Sequence, residues 1–199
     1  MSKKYLFNFL ETINTECKNN SKTISKKALK LDDERGLKTY LKINLSSCDY
    51  FYSKKNNEGQ LIYLIEITDL KRQIDNLKNK RKFEFIDLEN ELEKLKTSND
   101  CEEILKTLEN FSKNIKIKEI KRLVREEFRK KTMESIVIIF NLLRIFEINL
   151  EKLKQFKFKL TIYLCEPLNE PILIDNLKNE LKSDMKGIVE DIKIVPLTR

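Results

Sequence analysis

Apolar positions along the chain recur with two different periods, and the switch between them marks the predicted elements. Over residues 5–19, Leu6, Phe9, Leu10, Ile13 and Cys17 stand at helical spacing, which predicts a first helix. A short second helix is expected around Ser25–Asp33, and a weakly alternating strand over Gly36–Leu45. Cys48–Ser53 and Leu61–Thr68 are dense in aromatic and β-branched residues and read as the best strands of the chain. Asp69 to about Lys96 turns helical, rich in Lys and Glu, and Thr97–Asp100 breaks it with capping residues. Helices follow over Cys101–Phe111 and about Ile117–Ile148. The second half of the latter is apolar nearly all round, as a buried central helix would be. A strand at Phe156–Cys165, a helix at Asp175–Met185 ended by Gly187, and a strand at Glu190–Leu197 complete the pattern. This order predicts an α/β fold: a mixed central sheet flanked by helices, one domain over 1–199, with a helical insertion at 97–150.

The hairpin between the two best strands raises a chemical question. Asn56-Asn57-Glu58-Gly59 is a strong turn sequence. A turn centred between Asn57 and Glu58 sets Asp49 directly across from Glu66, with Cβ atoms about 5 Å apart. Along Leu61–Thr68 both faces are apolar, so Glu66 is the odd residue on its face. Two adjacent carboxylates beside a core repel one another and resist ionisation. A shared proton, a basic side chain or a divalent cation must compensate. Mg²⁺ takes oxygen ligands and is often held by only one or two carboxylates. A plain Glu66–Lys or Glu66–Arg pair inside the sheet is the alternative.

Composition narrows what such a pair can serve. With no histidine, Ser-His-Asp and Cys-His catalysis and His-ligated zinc are excluded. The three glycines, Gly36, Gly59 and Gly187, lie too far apart for a phosphate-binding loop or dinucleotide fingerprint. Any chemistry must come from carboxylates, lysines, hydroxyls or thiols. The four cysteines have no paired spacing and are expected to be reduced thiols of a cytoplasmic protein. The longest apolar run, Ile136–Ile148, is interrupted by Asn141 and Arg144 and is too short to span a bilayer, so no membrane is expected.

Formal charge is +8, which favours an anionic partner, nucleic acid first. The charge is densest on one predicted helix. There Lys116, Lys118, Lys121, Arg122, Arg125, Arg129, Lys130 and Lys131 face only Glu119, Glu126 and Glu127. Such a stripe would give sequence-independent, salt-sensitive phosphate contacts. A solvated face laced by pairs such as Arg122–Glu126 is the competing reading. The stripe Leu70, Ile74, Leu77, Phe85, Leu88, Leu92, Leu95 suits either a partner helix, hence a homodimer or second subunit, or the chain's own core.

Cys48-Asp49 at the start of one hairpin strand, followed by Glu66-Ile67-Thr68 at the end of the next, resembles the PD-(D/E)XK nuclease-like superfamily. That resemblance covers roughly residues 5–96 and 156–197. It implies an αβββαβ core and metal-dependent cleavage of DNA or RNA. Asp49 and Glu66 would hold Mg²⁺ or Mn²⁺, a first-helix glutamate would join them (Glu16 rather than Glu11), and a lysine would help activate water. Restriction, repair and phage-defence proteins share this fold. Thr68 stands where the lysine would stand. Its replacement would come from Lys71, Lys38 or Lys42. Without one, the chain would be an inactive nuclease-fold subunit that binds nucleic acid or a partner helicase or ATPase.

Overall fold

The computed structural model describes residues 3–15, 17, 23–56, 59–81, 90, 93, 102–146, 156–166, 168 and 171–197. Among the described residues six strands form one sheet in sequential order. They are β1 (Leu10–Asn14), β2 (Thr23–Lys30), β3 (Tyr50–Asn56), β4 (Gly59–Thr68), β5 (Phe156–Leu164) and β6 (Val189–Pro196). The first four run as an antiparallel meander, and β5 and β6 add parallel to β4. Antiparallel neighbours need only short turns, whereas the two parallel steps need crossovers. The helices α2 (Leu70–Arg81) and α3 (Glu102–Ile145) lie in the first crossover, and α4 (Pro171–Asp184) lies in the second. The fold is therefore α/β with a mixed sheet and a helical insertion, as the residue pattern predicts.

The chain divides into two compact units: Met1–Leu70 with Glu127–Arg199, and Lys71–Glu126. In the larger unit one face of the sheet carries Ile62, Leu64, Phe158, Leu160, Ile162 and Leu164, all buried. Phe128, Thr132, Ser135, Ile138 and Ile139 of α3 and Leu177 and Leu181 of α4 are buried in the same unit. The Phe140 ring meets Phe158 edge-on, with centroids 5.9 Å apart.

The N-terminal third departs from the sequence expectations. Residues 5–19 do not form a helix: Lys3–Phe9 is a 3₁₀ turn, and β1 follows at once. Of the stripe, Leu10 is exposed and Phe9 meets Tyr40 edge-on, while Ile13 buries fully against Ala28, Tyr50 and Ile65. Pairing with β2 outweighs local periodicity here. The helix expected over Ser25–Asp33 is strand β2 for the same reason: it is the partner of β1 and β3. The strand expected over Gly36–Leu45 is instead a single helical turn, α1 (Leu37–Tyr40). Gly36 makes that turn possible, because a Cβ there would lie 2.5 Å from the carbonyl oxygens of Leu31 and Asp32.

Further along, the predicted helices over Cys101–Phe111 and Ile117–Ile148 are one helix, α3. The intervening Ser112–Lys116 has no Gly or Pro to stop it. The second half of α3 is not buried all round: Val137 and Phe140 are exposed. Much of the expected 69–96 helix beyond Arg81 lies outside the described residues. Cys17 and Cys165 are not free thiols: they are joined in a disulfide, Cα atoms 5.6 Å apart, and Cys48 is free and buried. No helix among the described residues is long and apolar enough to cross a membrane.

Candidate functional site

The hairpin register sets the site. Asn56 pairs with Gly59, Tyr52 with Tyr63 and Tyr50 with Ile65. One step further, Asp49 faces Glu66, the register the turn sequence predicts. Asp49 sits just ahead of β3 in a bend whose backbone is pinned: its carbonyl accepts from Leu31 N (2.8 Å) and from Asp32 N. Its Oδ2 accepts from Ile67 N at 2.7 Å, across the β3–β4 pair. Glu66 belongs to the buried face of β4 and is 2% exposed.

The ammonium on Glu66 comes from Lys131 of α3. Its Nζ donates to Glu66 Oε1 at 2.6 Å and lies 3.7 Å from Glu127 Oε1. Glu66 Oε2 is buried and has no hydrogen-bond partner. Burial pushes the Glu66 carboxyl up, the Asp49 charge adds to it, and Lys131 only partly opposes them, leaving a pKa of about 8. Burial pulls the Lys131 ammonium down, but the carboxylates of Glu66, Asp49 and Glu127 outweigh it and hold its pKa above the usual lysine value. The two directions are consistent. Near neutral pH Glu66 therefore retains a proton beside the Lys131 ammonium.

Polar contacts from α3 hold the segment leading into Asp49. Ser46 N donates to Glu134 Oε2, Cys48 N donates to Ser135 Oγ at 2.8 Å, and Ser135 Oγ donates back to the Lys131 carbonyl at 2.7 Å. One turn of helix thus positions both Lys131 and the backbone that carries Asp49. Ser47 Oγ is buried without a hydrogen-bond partner. Burial, then the nearby Glu66 charge, push the Cys48 thiol far up, so it stays protonated and packs as an apolar group.

The other expected residues are placed as follows. Thr68 is half-buried on the Glu66 side of β4, and its carbonyl accepts from Cys165 N. Lys38 is tied to Asp32 and Lys42 is exposed, so neither supplies the ammonium on Glu66. Lys71 is exposed and belongs to the Lys71–Glu126 unit. Glu16 lies outside the described residues. Glu11 accepts from the Tyr50 hydroxyl at 3.0 Å and pairs with Lys30 at 3.3 Å. In the smaller unit, Lys118 and Arg122 are exposed and Lys116, Lys121 and Arg125 are half-buried. Arg122 is bound to Glu119 and Glu126 in the i,i+3 and i,i+4 pattern of a solvated face. In the larger unit Arg129 and Lys130 are exposed, while Lys131 is turned onto Glu66 rather than outward with the stripe.

Lys131 is the residue that the sequence reading placed wrongly. A signal was present: Lys131, Thr132 and Ser135 interrupt the apolar positions Phe128, Ile136 and Ile139 on the inward side of α3. Polar residues at buried helical positions require partners, and the strand glutamate is one.

Two carboxylates, one ammonium and an unpartnered buried carboxylate oxygen suit a hard divalent cation better than a thiol- or imidazole-bound metal. Among the described residues no group of three or more Asp, Glu, Cys or His could hold a metal, so water or substrate oxygens would complete the ligand set. No family model, curated protein or solved structure matches this chain.

Proposed function

We propose that the chain is a metal-dependent phosphodiesterase of the nuclease-like PD-(D/E)XK type, acting on DNA or RNA as part of defence against foreign nucleic acid. The observation that carries this reading is the Asp49–Glu66–Lys131 cluster, with its buried, unpartnered Glu66 Oε2. The meander β2-β3-β4 followed by parallel β5 supports it, since the two acids then fall on adjacent strands at one end of the sheet. Asp49 and Glu66 are the residues that would hold Mg²⁺ or Mn²⁺. A divalent cation bound there supplies a lowered pKa for water and neutralises charge on the phosphoryl oxygens. Ile67 N fixes one Asp49 oxygen, and Glu134 and Ser135 fix the backbone ahead of it, so the acids are pre-positioned. Lys131 takes the role that Thr68 cannot fill, providing a cation beside the acids that stabilises charge on the phosphate. In the reaction, water adds to phosphorus, the P–O ester bond breaks, and a proton passes to the departing oxygen.

A second reading rests on the same 2.6 Å contact. If Lys131 is a fixed counter-ion, the cluster is a structural salt bridge. The chain is then a non-catalytic subunit that binds nucleic acid or a helicase or ATPase partner. Plasmid and single-stranded RNA incubated with the purified chain and Mg²⁺ or Mn²⁺ separate the two. Cleavage that EDTA stops, and that Asp49→Ala and Glu66→Gln abolish, supports the enzyme. Intact substrates at millimolar metal support the subunit.

A further inference from the structure

The face of the sheet opposite Glu66 is chemically different. On β5 every second residue, Phe158, Leu160, Ile162 and Leu164, is buried, while Lys157, Lys159, Thr161 and Tyr163 between them all stay partly exposed. Near the disulfide this second face is closed by the cluster of Cys17, Cys165 and Leu197 with Ile24, Ile67 and Tyr163. Towards the β3–β4 hairpin, Leu61 stays buried but Lys26 and Lys54 are exposed. There the strand register lays a band of alternating cations and rings across the sheet. Lys26 of β2 lies 4.3 Å from the centroid of the Tyr52 ring and donates to its hydroxyl at 2.8 Å. Tyr52 stacks on its cross-strand partner Tyr63, centroids 4.5 Å apart and planes 6° from parallel. Lys159 is the register partner of Tyr63 on β5.

Charge on this end is lopsided. Lys26, Lys54 and Lys193 are exposed. Lys157 and Lys159 are held by Glu190 at 3.0 and 3.8 Å, and Asp191 is held by Lys182 at 3.2 Å. At the hairpin end Lys26, Lys54, Lys157 and Lys159 thus stand against Glu190 and Asp191, with half-buried Tyr52 and Tyr63 between them, while Lys193 lies in the row of the Lys30–Glu11 pair. A duplex offers its phosphates but hides the faces of its bases, so rings in the middle of the band would find nothing to stack on. A single strand offers both phosphates and unstacked bases, the two chemistries that a cationic groove with aromatic side chains takes up.

We infer that this face of β2-β3-β4-β5, centred on Lys26, Tyr52, Tyr63 and Lys54, binds single-stranded nucleic acid. This surface lies on the other side of the sheet from the Glu66 cluster, and binding there stands whether or not the acids hold a metal.

The test is fluorescence anisotropy of a labelled oligothymidylate of about 20 nucleotides, in EDTA so that no cleavage occurs, against a blunt duplex of equal length and a polyglutamate competitor. The single strand is expected to bind at least about ten-fold more tightly than the duplex. Lys26→Glu with Lys54→Glu, both at exposed positions, should weaken it at least ten-fold and reduce the salt slope by about 1.4 for two lost phosphate contacts. Tyr63→Leu should weaken it by about five-fold or more, the loss of one stacked base. Duplex bound as well as single strand, polyglutamate competing as well as oligothymidylate, or unchanged affinity in the lysine double variant would each overturn the inference. The nuclease reading is scored apart from this one, by cleavage in Mg²⁺ or Mn²⁺, so its failure and a failure of this surface in EDTA are read separately.

Discussion

Replacing Glu66 by glutamine removes a charge without changing shape, and the structure fixes both the sign and the ceiling of the effect. In the folded chain Glu66 titrates near 8, against an ordinary 4.5. Its folded pKa is raised, so the contribution of the retained proton is fully present below pH 4.5 and is lost as pH rises through 8. The difference of 3.5 units corresponds to about 5 kcal/mol at most, falling away at up to about 1.4 kcal/mol per pH unit across that window. Lys131, whose pKa is also raised, contributes a constant amount there, because its stabilisation persists until the pH passes the ordinary lysine value. Glutamine mimics the protonated acid at every pH. Glu66→Gln should therefore match the wild type at pH 4.5 and become more stable than it by several kcal/mol at pH 9. Urea unfolding at half-unit pH steps, with the wild-type and variant curves subtracted, isolates this group from the other carboxylates. Lys131→Met is the companion. At pH 9 it strands a buried carboxylate and should cost about 3 kcal/mol, less than a fully buried pair would because the Lys131 side chain is 25% exposed. At pH 5 it should cost much less. A wild-type-minus-Gln difference that stays flat from pH 4.5 to 9 would refute the argument.

Other outcomes follow from the same structure. Thr68→Lys places a second ammonium on the Glu66 side of β4. If Lys131 already serves the acids, this change should leave metal-dependent cleavage unchanged or lower it, and a several-fold gain would mean that Lys131 does not fill the role. Charge reversal at Arg129 and Lys130, both exposed, should weaken binding to any nucleic acid alike and cut the salt slope by roughly one unit per lost contact, whereas Arg122→Glu should do less because Glu119 and Glu126 already hold that guanidinium. Reducing the Cys17–Cys165 disulfide, which closes a separation of 148 residues, should lower unfolding stability by up to about 5 kcal/mol, with Cys17→Ser equivalent to reduction. Calorimetry with and without reductant checks it.

The sheet's centre was legible in the residues because its signals are local and redundant. The Asn56–Gly59 turn sequence between an aromatic run and a β-branched one predicts the β3–β4 register, and with it the facing of Asp49 and Glu66. Phe156–Leu164 and Val189–Pro196 were legible for the same reason. The N-terminal hairpin was not. Leu6, Phe9, Leu10 and Ile13 fit a helix stripe, and only the β1–β2 pairing and the burial of Ile13 decide for strands. The origin of the Glu66 counter-ion was hidden because 65 residues separate it from Lys131. Within its own helix that lysine looks like one more member of a basic run. The Cys17–Cys165 bridge is likewise long-range: three strands lie between β1 and β5 in the sheet, and nothing in cysteine spacing announces it.

If Asp49 and Glu66 share a divalent cation, the proton on Glu66 leaves when the cation binds. Isothermal titration of Mg²⁺ or Mn²⁺ at pH 7, in two buffers of different ionisation enthalpy, measures both at once. One bound cation and the release of about one proton are expected at pH 7, the release falling towards zero by pH 9.5, with affinity rising up to about pH 8 and levelling off above it, and all binding lost in Asp49→Ala. Binding that releases no proton at pH 7, or no binding at millimolar metal in the wild-type chain, would contradict it.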